Sequence, residues 1–180
     1  MSQNEHSKVK KNHNGHRAGR ALLAWSLAVV AWVVPAVAQA SEKNRAPEPA
    51  IRRGVPTAAA VRLRSGFAIA LRQARELPEC HALFESLNSD PDRLLGETEY
   101  VPATSELEKS YCNHRAVAMT NVGQPVTWLC QMFSGLTVHQ AAIVVIHEAL
   151  HVGGLPESPH TPSAMTSQEI NSLVTKSCRP

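Results

Sequence analysis

The sequence predicts an α+β domain, mainly helical, in which a short antiparallel hairpin or sheet packs on one buried helix and two disulfides reinforce the core. Three observations lead there. Apolar residues recur with helical spacing after residue 57, two β-prone runs flank a turn near residue 123, and residues 138–152 are almost uniformly apolar.

The chain has 180 residues, room for one modest domain behind a leader. Lys8, Lys10, Lys11, Arg17 and Arg20 make a basic start, Ala21 to Val34 carries no charge, and Pro35 ends any helix there. Ala38-Gln39-Ala40 then offers small residues for cleavage, so residues 1–40 read as a secretory signal peptide, with an uncleaved anchor as the alternative. Removing the leader changes the charge balance. Residues 41–180 hold 13 Lys and Arg against 14 Asp and Glu, a net charge of −1. That near-neutral balance leaves no basic face to suggest nucleic acid or, after cleavage, an anionic membrane.

Residues 41–56 are polar, charged and Pro-rich, and read as a poorly ordered linker; the domain proper is expected over residues 57–180. Ala60, Leu63, Phe67, Leu71 and Ala74 mark an amphipathic helix, with Arg62, Arg64, Arg72 and Arg75 largely on its solvated side. Leu77-Pro78 ends it, Ala82 to Leu87 reads as a second short helix, and Asn88-Ser89-Asp90-Pro91 as a turn. Tyr100-Val101, Ala116 to Thr120 and Val126 to Leu129 are strand candidates. The last two form a hairpin across Asn121-Val122-Gly123-Gln124-Pro125. Thr137 to Gln140 fits a capping box opening an apolar helix that Gly153-Gly154 stops. Thr166 to Glu169 fits a second capping box, before a short final helix.

Cys80, Cys112, Cys130 and Cys178 all lie behind the leader, and an even count in an exported chain implies two disulfides. No C-x-x-C pair supports a cysteine-based zinc site. Of three possible pairings, Cys80–Cys112 with Cys130–Cys178 is preferred, because each then closes a loop of moderate length.

The apolar helix is interrupted by His147, Glu148 and His151, an H-E-x-x-H sequence. Residues at i and i+4 stand one above the other, about 5–6 Å apart at Cβ, so two imidazoles can converge on one zinc ion. Glu148, rotated aside, can act as general base toward a metal-activated water. Burying three ionisable groups without partners costs several kcal/mol each, and a metal resolves that cost. A third ligand is needed. Gly154 lets the chain turn back, bringing Glu157 to the ion. His160 would serve if that turn is wider, and Glu169, 18 residues after His151, is a further alternative that its capping box already explains.

With these residues the chain resembles the zincin metallopeptidases. It matches H-E-x-x-H-x-x-G-x-x-H at His147, Glu148, His151 and Gly154, with Glu157 where the last histidine would stand. The layout from Val126 through Phe133 to the His147 helix looks like the deuterolysin type. There an aspartate after a Gly-Thr turn is the third ligand, whereas this turn is Gly-Leu-Pro-Glu. Ser163-Ala164-Met165 is similar to the methionine turn of metzincins but follows unusually closely. The resemblance covers residues 116–178. It implies a zincin-like domain holding one zinc ion, hydrolysis of peptide bonds by an endopeptidase, and a hairpin that pairs with an extended peptide substrate. The substrate would be a peptide, a protein or the peptide of peptidoglycan, in a secreted or periplasmic setting. Tyr100, Tyr111, His114 and Arg115 are the candidates for stabilising an oxyanion. The competing function is a non-catalytic, zinc-stabilised binding module of the cell envelope.

Overall fold

A computed structural model describes residues 46–112, 116–159, 161 and 163–180. The leader, residues 41–45, His114, Arg115 and His160 lie outside the described residues. Among those described, no helix is long and apolar enough to cross a membrane.

The first element is a two-residue strand, β1 (Ala50–Ile51), inside the stretch expected to be linker. Its backbone pairs in parallel with β2 (Glu99–Pro102), and the Arg52 guanidinium grips the Glu99 carboxylate just beyond. Two residues are too few for any periodicity to show, which is why sequence missed the strand. Helix α1 (Thr57–Glu76) follows Pro56 and buries Ala60, Leu63, Phe67, Leu71 and Ala74, the expected apolar face, with Ala70 beside them. Leu77 ends it in an extended conformation, and Pro78 opens α2 (Pro78–Glu85), four residues earlier than expected. Proline suits a first helical position, where no N–H partner is needed.

Asn88, at φ 52°, turns the chain, and the Asp90 carboxylate accepts from the Arg93 N–H to cap α3 (Pro91–Glu97). Helix α4 (Ser105–Ser110), capped by Thr104, then leads to β3 (Ala118–Thr120) and β4 (Val126–Leu129). Sequence reasoning saw neither α3 nor α4, because helices of 7 and 6 residues carry too few turns to display a face. The hairpin is as expected: β3 and β4 are antiparallel, with Thr120 opposite Thr127. The sheet as a whole departs from the antiparallel expectation. Its order is β1-β2-β4-β3, and β2 pairs with both β1 and β4 in parallel. The passage from β2 through α4 and β3 is the crossover that parallel pairing with β4 requires.

A 3-10 turn (Gln131–Gly135) leads into α5 (Val138–Val152), where both halves of the Thr137–Gln140 capping box are formed. The last helix, α6 (Ser167–Cys178), opens with the Thr166–Glu169 box. Helix α5 is the centre of the described domain, with α1, α3, α6 and β3 packed against it. Ala141, Ala142, Val145, Ile146, Ala149 and Leu150 fill the core there.

The disulfides join Cys80 to Cys178 and Cys112 to Cys130, which overturns the expected pairing. Loop length did not decide it. Packing of α2 on α6 brings Cys80 and Cys178 to a Cα separation of 4.6 Å across 98 residues of sequence. Cys112 follows α4 and Cys130 follows β4, ends already joined by the Gln131 N–H donating to the Glu108 carboxylate.

Candidate metal centre

Helix α5 places His147, Glu148 and His151 in its last two turns, only 5, 6 and 3% exposed. The helical rise stacks the two histidines, and their Nε2 atoms face each other at 2.9 Å. Gly153 remains right-handed, then Gly154, at φ +103°, reverses the chain. A side chain at Gly154 would meet nothing, so the glycine is there for its backbone conformation. The turn delivers Glu157, whose Oε2 lies 3.0 Å from His151 Nε2 and 3.7 Å from His147 Nε2.

These three atoms are the donor set expected of a zinc site with one position left open. Ligands at about 2.0–2.2 Å in tetrahedral array stand about 3.3 Å apart, and the three separations bracket that value. The outer ring nitrogens strengthen the fit. His151 Nδ1 lies 2.7 Å from the Leu155 carbonyl oxygen, which can only accept, so Nδ1 carries the proton. His147 Nδ1 lies 2.8 Å from Asn171 Oδ1 and donates in the same way. In the neutral rings both Nε2 lone pairs therefore point at one spot beside a carboxylate. Lone pairs so arranged repel unless a cation or proton lies between them, and outer partners of this kind commonly fix metal-binding histidines.

The electrostatics point the same way. Burial lowers the His147 pKa but is outweighed by the nearby Glu157 carboxylate, the Glu148 charge and the Asn171 hydrogen bond, leaving it raised. Glu157 is held below its ordinary range by His147 first, against partial burial, with His151 and the Ser167 hydroxyl adding to the effect. The direct contact of Glu157 is the shorter one, to His151; its attraction extends to both rings. The residues fit a divalent cation.

The centre opens into a cleft of about 630 Å³ lined on one side by residues 116–122 and on the other by α5 and the Glu157 loop. The hairpin is tied to the helix there, because the Gly123 N–H donates to the His151 carbonyl at 2.8 Å. β3 is one of the two edge strands of the sheet and borders this cleft. Tyr111 lines it as well. Tyr100 is 1% exposed in β2 and does not reach the cleft wall, so it is not placed to meet an oxyanion.

Of the alternative ligands, His160 lies outside the described residues and Glu169 is not gathered with the others. Glu169 is exposed, and its carboxylate accepts from Thr166 N–H at 2.8 Å and Thr166 O–H at 2.9 Å, as capping required. Met165 is half-buried, and its carbonyl accepts from the Ser158 N–H, closing the loop that carries Glu157. A second grouping, Glu108 with Cys112 and Cys130, is spent on the disulfide and a backbone bond.

Sequence reasoning missed Asn171, Ser167 and the Leu155 carbonyl. A signal existed for the first two. They stand four apart on α6, and an asparagine is disfavoured inside a helix unless its side chain has a task. Comparison with protein-family models, curated proteins and solved structures finds no match, so the centre is read from its own geometry.

Proposed function

We propose that this chain is an exported zinc metallopeptidase of zincin-like type, an endopeptidase acting on a peptide or protein. The observation that carries the reading is the convergence of His147 Nε2, His151 Nε2 and Glu157 Oε2 within 3.7 Å, with both outer ring nitrogens already committed to oxygen acceptors. Zinc, when bound, supplies a Lewis acid that acidifies water and polarises a scissile carbonyl. His147, His151 and Glu157 would hold it. Glu148, next in the helix and on the cleft wall, takes the proton of the attacking water and returns it to the leaving amine. The edge of β3 offers unpaired backbone groups to an extended peptide, orienting it along the cleft. Two disulfides agree with an oxidising compartment, the periplasm or the exterior.

The test is a single substitution. Glu148→Gln keeps zinc and fold but loses roughly 10²–10⁴-fold in rate on a cleaved peptide. Equal activity in that variant would refute the enzymatic reading. A screen of peptides and peptidoglycan fragments separates a peptidase from a zinc-stabilised binding module, which would cleave none of them.

A further inference from the structure

Among the described residues, two buried side-chain atoms lack a hydrogen-bond partner: the Tyr100 hydroxyl and Glu148 Oε2. One is a donor, the other an acceptor. Buried polar atoms without partners are rare, and each asks for an explanation.

The sheet register shows how they are related. Tyr100 pairs with Thr127, and Thr127 pairs with Thr120. Cross-strand partners project from the same face of a sheet, so the three form one row across β2, β4 and β3. All three are buried, at 1, 0 and 9% exposure, and β3, which carries Thr120, packs against α5. Thr120 and Thr127 share a hydrogen bond of 2.7 Å. A row of three hydroxyls is an unusual choice for the inner face of a sheet, where Ala118 and Leu129 otherwise serve. Thr120 also borders the cleft together with Glu148. Burial, and then the charge of Glu148, hold the phenol firmly protonated, so it stays a donor, and Glu148 is the charge that acts on it.

We infer that Tyr100 is a positioning residue for Glu148: its phenol donates to a buried water that in turn donates to the inner oxygen Oε2, satisfying both unpartnered atoms. The inner oxygen is thereby anchored to the sheet, and the outer oxygen is left for the cleft. A carboxylate so anchored cannot rotate freely on its helix. The structural pairing stands on the two unpartnered atoms, while its consequence for rate rests on the peptidase reading above.

Tyr100→Phe removes one oxygen and preserves the ring, so the protein should fold. The first measurement uses metal-free protein and needs no substrate. Thermal unfolding is followed in a double-mutant cycle of Tyr100→Phe with Glu148→Ala. We expect Tyr100→Phe to lower Tm by roughly 3–10 °C when Glu148 is present, the range for a hydrogen bond to a charged group, and to change it little when Glu148 is absent. An equal effect in both backgrounds, or none in either, overturns the pairing. The second measurement uses zinc-loaded protein. Tyr100→Phe should retain zinc and KM while kcat falls roughly tenfold, as expected of a group that acts by orienting the base. A coupled cycle with unchanged kcat would refute the positioning role while leaving the buried bond. Loss of coupling together with full Glu148 dependence of the rate would leave the peptidase reading intact and remove Tyr100 from it.

Discussion

Asn171 holds His147 from a helix 24 residues further along the chain. Its oxygen fixes which ring nitrogen carries the proton, so its removal should loosen the metal without touching a ligand. Asn171→Ala is expected to weaken zinc affinity roughly 10–100-fold, and Asn171→Asp, which keeps an acceptor, to preserve it. Competition titration against a chelator of known affinity measures both; unchanged affinity in the alanine variant would contradict the assignment. The grouping of His147, His151 and Glu157 was legible in the sequence, because i and i+4 on a helix and a glycine turn are local geometry. Asn171 and Ser167 left only their helical spacing as a signal, since their role depends on how α6 docks against α5. His151 is oriented by a backbone carbonyl, Leu155, which no side-chain pattern can announce.

At the scale of elements, α5 was readable almost to the residue because its cap, its apolar run and its terminal glycines agree. The close approach of α1 was not. A Cβ on Gly66 would stand 2.7 Å from Ala141 Cβ and 2.9 Å from the Ala142 nitrogen, so the two helices meet almost backbone to backbone. Alanine ordinarily improves a helix by about 1 kcal/mol over glycine. Here Gly66→Ala is expected to destabilise by about 1–3 kcal/mol, as overpacking does, whereas Gly135→Ala, which meets nothing, should not. Urea unfolding of the two variants decides it. The cap of α6 gives a pH prediction. Thr166 holds the Glu169 carboxyl below its unfolded value of 4.5, so its stabilisation is complete above that pH and is lost as pH falls through the lower folded value. Glu169→Gln should flatten that part of the acid unfolding curve; an identical acid limb would show that the cap contributes nothing. The short elements escaped sequence reasoning for a common reason. Strand β1 and helices α3 and α4 are defined by what they pair with or by a single cap, and leave no periodic trace.

Across the whole molecule, the Cys80–Cys178 bridge fastens α2 to the end of α6, the helix that carries Asn171 and Ser167. Replacing both cysteines with serine should cost roughly 2–5 kcal/mol of stability and weaken zinc binding as well. The Cys112–Cys130 bridge closes a loop of 18 residues, carries no partner of the ligands, and should affect zinc binding less. Zinc titrations of the two double variants distinguish them, and equal losses would deny α6 its special part. Bound zinc should in turn stabilise the fold by about 4 kcal/mol at a thousandfold excess over its dissociation constant. The most direct measurement is zinc binding to the metal-free mature protein, read as stoichiometry and affinity beside His151→Ala, Glu157→Ala and His160→Ala. The expected result is one equivalent per chain, abolished in the first variant, weakened in the second and retained in the third. No stoichiometric zinc in the parent protein, or undiminished binding once His151 is gone, would contradict the account.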